Sequence, residues 1–186
     1  EENALGRPQV RWLEETGAAQ QTLKTDDPVG PDQALGFLSS FTFNLKEDEA
    51  FVFTVNTLGA RYVGVNSYRP FFVSPEHVHG SSSSNNTQAK PNPDGSFTFV
   101  IARRDPGVYN WIDVGGLPYG AAGVRWQTLT TPVVGSLANA VQWQKVVKIS
   151  DLRSVLPATT VWVTPREREQ LRDERARRLP APVRGT

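Results

Sequence analysis

The chain has 186 residues, 38% hydrophobic and 21% charged, so it is long enough for one well-buried core and its composition excludes disorder throughout. A net charge of +1 excludes a strong overall field for nucleic acid, and the absence of cysteine excludes disulfides and Cys-based metal sites. No apolar run approaches the roughly 20 residues of a membrane helix, so we expect a soluble protein without a membrane span. The localisation stays unknown, because without cysteine the redox compartment cannot be inferred.

Residues 1–36 are predicted to form an irregular N-terminal arm or linker, because glycine and proline recur along them. One helical turn is expected around Val10 to Glu15, with its apolar side chains buried against the next domain or against missing chain. The chain begins with Glu1 and contains no methionine. We therefore expect it to be the C-terminal part of a larger protein, and the alternative is a chain that lacks only its initiator or a tag. Its expected partners are a missing N-terminal domain or another subunit, and a homo-oligomer is a further option.

Residues 37–149 are predicted to form one β domain. Phe41, Phe43 and Leu45 alternate with polar residues, which indicates a strand with one buried face. Six strands are expected, at 41–45, 51–55, 62–65, 96–102, 123–129 and 141–149. The second and third are predicted to pair as a hairpin, and Ser81 to Asn86 to form an exposed loop. Without crossover helices between the strands, the pattern favours an antiparallel β-sandwich or jelly-roll-like domain over an alternating α/β fold.

Residues 150–186 are predicted to form a C-terminal extension with a charged helix at about 164–178. Thr164, Pro165 and Glu167 make a capping box, with a hydroxyl at the N-cap, proline at the first helical position and a carboxylate at the third. Few apolar residues follow, so we expect a solvated helix that is thinly anchored. The alternative is a basic arm that docks on another subunit.

Glu76-His77-Val78-His79 is the one segment with metal-ligand chemistry. On an extended chain His77 and His79 project from the same face, about 7 Å apart, which permits both imidazoles to bind one metal ion. They are the only two histidines, so a third protein ligand must be a carboxylate such as Glu76, Asp94, Asp105 or Asp113. The alternative is a pair of ordinary loop histidines. No cofactor is otherwise indicated.

A polar pocket is the second candidate site, with Asp105, Asn110, Asp113 and Arg125 as its lining. In the structural alternative, Asp105 belongs to an Asp-Pro-Gly turn, Asn110 and Asp113 cap loop amides, and Trp111 packs into the core. In the following strand one of Arg125 and Trp126 must face inward. A buried Arg125 would need a carboxylate, for which Asp113 is the obvious partner.

Several of these segments, in this order, resemble the C-terminal domain of bacterial proteins in domain-of-unknown-function family 1214. They are Asn85 to Gln88, Asp94 to Ile101, Asp105-Pro106-Gly107, Asn110 to Asp113, Gly116, Gly120 and Arg125-Trp126. The resemblance covers roughly residues 51–126. It implies a jelly-roll type of β-sandwich at the C-terminal end of a longer protein. It implies no reaction, because the family carries no established catalytic residues.

Three functions follow as hypotheses. The first is a non-catalytic or accessory β domain that gives a larger bacterial protein structural, oligomer or pocket-wall contacts. The second is an enzyme or small-ligand-binding domain that uses the polar pocket, with metal assistance from His77 and His79 as an option. The third is a carbohydrate-binding module, for which the only support is the presence of five tryptophans, a residue type more often found in cores.

Overall fold

Strands dominate the computed structural model of this chain, which describes residues 9–13, 37–76, 78, 80–129 and 140–178. The strands are β1 (Val10–Leu13), β2 (Phe37–Asn44), β3 (Glu49–Val55), β4 (Ala60–Tyr68), β5 (Ser83–Asn85), β6 (Phe97–Ala102), β7 (Trp111–Asp113), β8 (Tyr119–Leu129) and β9 (Val141–Lys148). Two helices follow them, α1 (Leu152–Val155) and α2 (Pro165–Arg178). In the parts of the chain described here, no helix is both long and apolar enough to cross a membrane.

The strands form two sheets. The first has the order β1-β2-β8-β4-β5 and is antiparallel throughout, and the second has the order β7-β6-β3-β9. Within the second sheet β7 pairs with β6 in the parallel sense, while the other pairs are antiparallel. The prediction of a mainly β, antiparallel sandwich with a C-terminal helix is therefore confirmed, with one parallel pair that was not expected.

Aromatic rings join the two sheets. Phe41 of the first sheet contacts Phe51 and Phe53 of the second edge to face, with ring centroids 5.2 and 5.6 Å apart. Phe53 also packs against Phe99, at 5.8 Å. Trp126 is fully buried beside them and donates its indole N–H to the carbonyl of Asn56. The alternation at Phe41, Phe43 and Leu45 is confirmed, because all three side chains are buried in this core.

The second sheet is also covered on its other face. Leu152, the first residue of α1, and Leu156, which directly follows the helix, are buried with Val52, Val100 and Trp111 in a smaller apolar cluster. This explains why every residue of β6 is buried, since a strand between two layers presents both faces to a core. The short helix α1 was not predicted, because four residues carry too little periodicity to be recognised.

The predicted hairpin between residues 51–55 and 62–65 is wrong. β3 lies in the second sheet and β4 in the first, so the chain crosses the sandwich between them. The connection turns through Leu58 and Gly59, which have φ angles of 52° and 74°. A loop of this length serves a hairpin or a crossing equally well. The crossing lets both strands bury their apolar side chains in one core.

Two predictions of local structure are also wrong. Val10–Leu13 is strand β1 rather than a helical turn, because its backbone pairs with β2, with Val10 opposite Phe43. Most of the remaining predicted arm, residues 1–36, lies outside the described residues. Ser83–Asn85 is not a fully exposed loop but the short edge strand β5, paired with β4. In both cases main-chain hydrogen bonding to a sheet edge determines the backbone conformation, although the residue types favour a different local structure.

The predicted C-terminal helix and its capping box are confirmed. The amide of Thr164 donates to Oε2 of Glu167 over 2.7 Å, and the amide of Glu167 donates to Oγ1 of Thr164 over 3.3 Å. The hydrogen bond from the Thr164 amide lowers the pKa of Glu167 below its ordinary value. This reciprocal pair satisfies two amides that the helix itself leaves without acceptors.

Removal of this cap should destabilise the protein measurably. Thr164→Ala is expected to lower the free energy of unfolding by about 1 kcal/mol, because the side-chain acceptor for the Glu167 amide is lost. Urea unfolding followed by circular dichroism measures the change. Thr159→Ala, at an exposed position outside the helix, is the control and should change the value by less than about 0.5 kcal/mol. Equal values for the two variants would show that the cap contributes nothing.

Candidate ligand-binding cavity

Helix α2 is anchored to the sandwich by Arg168. This side chain is 4% exposed, and its Nε donates to Oδ2 of Asp105 over 2.8 Å. Its terminal nitrogens donate to the carbonyls of Val108 and Tyr109, and its guanidinium lies over the ring of Trp111, 5.2 Å from the centroid. The ion pair, the hydrogen bonds to carbonyls and the ring contact together stabilise the buried charge of Arg168, which would otherwise be unfavourable for folding.

The buried face of α2 is therefore cationic. Arg168, Arg172 and Arg175 follow each other at intervals of four and three residues, which places them on one side of a helix. The prediction of a thinly anchored, solvated helix is wrong for this face, although it holds for the exposed Arg177, which approaches Asp173 only to 4.0 Å. The arginine spacing was visible in the sequence, but arginine is rarely assigned to a buried face.

Arg175 ties the same helix to the other sheet. Its Nη1 and Nη2 donate to the carbonyl and hydroxyl oxygens of Ser83, over 2.9 and 2.6 Å. Burial lowers the pKa of Arg175 from its ordinary value, yet an arginine remains charged at neutral pH. Because β5 is an edge of the first sheet and β7 an edge of the second, α2 covers the side of the sandwich at which these two edges lie.

A cavity of about 420 Å³ lies between α2 and these edges. Its lining includes Tyr109, Trp111 and Leu171 and the hydroxyls of Ser81, Ser83, Ser84 and Thr87. Five cationic residues line it as well, namely Lys90, Arg168, Arg172, Arg175 and Arg178, against the single carboxylate of Glu174. The whole chain carries a net charge of only +1, so the residues that line this cavity are more cationic than the chain as a whole.

Not all of these cations are engaged to the same degree. All three side-chain nitrogens of Arg168 donate hydrogen bonds within the protein, and Lys90 lies over the ring of Tyr109, 5.0 Å from its centroid. The Nε of Arg172, in contrast, is buried without a hydrogen-bond partner in the described part of the chain. A buried donor without an acceptor is unfavourable by roughly 1–3 kcal/mol, so this position favours an incoming acceptor.

Of the four residues predicted to line a polar pocket, Asp105 is the partner of Arg168, and it also caps the amide of Gly107. Asn110 bonds the amide and carbonyl of Lys90 and the carbonyl of Thr98. Both therefore hold the loop that forms one wall of the cavity. The structural alternative is confirmed for their backbone contacts, and a ligand-binding role for them stays a prediction.

Asp113 interacts electrostatically with Arg172 and caps the amide of Gly115 over 2.8 Å, as expected. Burial raises the pKa of its carboxyl, while Arg172 and Arg168 act in the opposite direction. The predicted ion pair with Arg125 is not formed by the described residues, since Arg125 is exposed on β8 in the other sheet while Trp126 faces the core. One residue of the Arg125-Trp126 pair does face inward, as predicted.

The metal hypothesis is not tested, because His77 and His79 lie outside the described residues. Glu76 is described, and its two carboxylate oxygens accept the amides of Val78 and Gly80, over 2.6 and 2.7 Å. Within the described ranges no group of three or more His, Asp or Glu side chains is placed to hold a metal ion. A metal site at Glu76, His77 and His79 stays a prediction.

No protein-family model matches this chain, and no curated protein does. Among solved structures it is similar to an uncharacterised protein from Burkholderia cenocepacia, with a TM-score of 0.54 and 28% sequence identity. The match covers 62% of this chain and 31% of the Burkholderia protein, so the chain spans about a third of the length of that protein. The VPA0106 protein from Vibrio parahaemolyticus is also similar, with a TM-score of 0.41 and 12% identity over 60% of this chain and 30% of that one.

Proposed function

We propose that this chain is an accessory, ligand-binding β domain of a longer bacterial protein, and that its ligand is an anion bound in the cavity beside α2. One observation carries the proposal, namely that five cationic side chains and one carboxylate line a single cavity. Arginine side chains bind phosphate and carboxylate groups through charge-assisted hydrogen bonds. Arg172 supplies a donor for which the described protein provides no acceptor.

The longer protein is part of this proposal. The Burkholderia protein is 28% identical to this chain over 62% of it and extends well beyond the matched part, which supports a role as one portion of a larger bacterial molecule. The same proposal includes three further points. The chain is related to domain-of-unknown-function family 1214, its sandwich is of the jelly-roll type, and it lies at the C-terminal end of the longer protein. In this role the domain contributes one wall of a binding site or a contact between subunits.

Inorganic phosphate is a suitable first probe. A ligand that binds only the folded state raises the unfolding temperature, so phosphate should stabilise the protein more than sodium chloride at the same ionic strength. Arg172→Ala should abolish the phosphate-specific increase, because the unpaired donor is lost. Arg177→Ala removes an equal charge from the exposed face of the helix and should leave the increase unchanged.

Differential scanning calorimetry measures these unfolding temperatures. A phosphate-specific increase that survives in Arg172→Ala, or that is absent from the unaltered chain, contradicts the proposed anion site. Circular dichroism at low temperature establishes that each variant is folded. Arg172→Ala should fold normally, because it removes a buried donor that lacks a partner rather than a satisfied one.

A further inference from the structure

The cavity is larger than a simple anion requires. The cavity has a volume of about 420 Å³. Inorganic phosphate has five heavy atoms and would leave most of that space to solvent. A volume of this size lies within the range of about 300–1,000 Å³ that is usual for sites that bind small organic molecules.

The lining combines arginines with uncharged polar side chains. Arg172 and Arg175 lie at adjacent turns of α2; the Nε of Arg172 has no acceptor among the described residues, while the terminal nitrogens of Arg175 donate to Ser83. The segment after β5 brings Thr87 and Gln88 to the same cavity. Hydroxyl and amide groups of this kind bind the hydroxyls of a polyol by donating and accepting hydrogen bonds.

Each aromatic residue of the cavity has a cation over one face of its ring. Lys90 covers the ring of Tyr109, and Arg168 lies over the ring of Trp111. Sites that hold a nucleobase commonly stack it on an open aromatic face. The arrangement therefore disfavours nucleotides and favours a ligand that is polar along its whole length.

We propose that the ligand of this cavity is a sugar phosphate, with its phosphate group at Arg172 and Arg175 and its hydroxyls toward Thr87 and Gln88. This inference rests on the proposed anion-binding function and names the chemical class of the anion. Glucose 6-phosphate is a convenient probe of the class. Glucose and inorganic phosphate each retain one part of its chemistry, and adenosine monophosphate adds a nucleobase to a ribose phosphate.

Isothermal titration calorimetry of the full chain at low ionic strength tests this inference. Glucose 6-phosphate should bind at least about tenfold more tightly than inorganic phosphate, glucose or adenosine monophosphate, a factor that corresponds to about 1.4 kcal/mol. Gln88→Ala should weaken glucose 6-phosphate several-fold and leave inorganic phosphate unchanged. The side chain of Gln88 is exposed at the cavity, so the variant should fold normally.

The alternative outcomes separate the two proposals. Equal affinities for glucose 6-phosphate and inorganic phosphate would overturn the sugar phosphate and keep the anion site, and equal affinities for glucose 6-phosphate and adenosine monophosphate would overturn the preference for a ligand that is polar along its whole length. Binding of glucose 6-phosphate that is unchanged in Arg172→Ala would overturn the sugar phosphate in this cavity. No binding of any phosphate compound would overturn both proposals.

Discussion

Arg168→Ala is expected to lower the free energy of unfolding by about 2–3 kcal/mol, because this buried side chain makes several charge-assisted hydrogen bonds that are lost together. The substitution leaves the Asp105 carboxylate and the Val108 carbonyl without the donor that now satisfies them. It also removes the guanidinium from the ring of Trp111. Urea unfolding measures the loss, and limited proteolysis should show earlier cleavage near α2.

The matched control is Arg177→Ala in the same helix. The Arg177 side chain, which pairs with Asp173, is 76% exposed. Exposed ion pairs of this kind contribute less than about 1 kcal/mol to the free energy of unfolding. Arg168→Lys should lie between the two, because a lysine keeps the charge but cannot donate in the same forked geometry. If Arg168→Ala and Arg177→Ala unfold at the same urea concentration, α2 is not anchored as described.

Phe53→Ala is expected to have the largest effect on the sandwich itself, a loss of about 3–5 kcal/mol in the free energy of unfolding. Phe53 is fully buried, and its ring contacts those of Phe41, Phe51 and Phe99. Its removal deletes contacts between the sheets and within the second sheet, and leaves a cavity that the surrounding rings cannot fill completely. Urea unfolding monitored by circular dichroism provides the value.

Phe71 provides the control for this substitution, because it is the same residue type with 96% of its surface exposed. Phe71→Ala should change the free energy of unfolding by less than about 0.5 kcal/mol. A loss at Phe53 no larger than that at Phe71 would mean that the two sheets do not pack through the phenylalanine cluster. A large loss at both positions would mean that Phe71 is not exposed as described.

The features that could be predicted from sequence are those that local patterns determine. The alternation at Phe41, Phe43 and Leu45 indicates a strand with one buried face, because the side chains of a strand point alternately to its two sides. The capping box at Thr164 and Glu167 lies within four residues. In both cases the interacting groups are close neighbours along the chain, and their geometry follows from the backbone alone.

The features that could not be predicted depend on partners far apart in the chain. β3 and β4 are consecutive in the chain, but their sequence patterns do not indicate that they belong to different sheets. Arg168 and Asp105 are 63 residues apart, and neither one alone indicates a buried pair. The cavity was missed for the same reason, since its arginines come from α2 and its hydroxyls from the segment around β5.

A crystal structure of the chain grown with saturating glucose 6-phosphate tests the central claim most directly. We predict that α2 covers the edges formed by β5 and β7, with a phosphate oxygen within hydrogen-bond distance of the Nε of Arg172. An empty cavity with the ligand bound elsewhere, or a helix packed away from Asp105, would contradict the account.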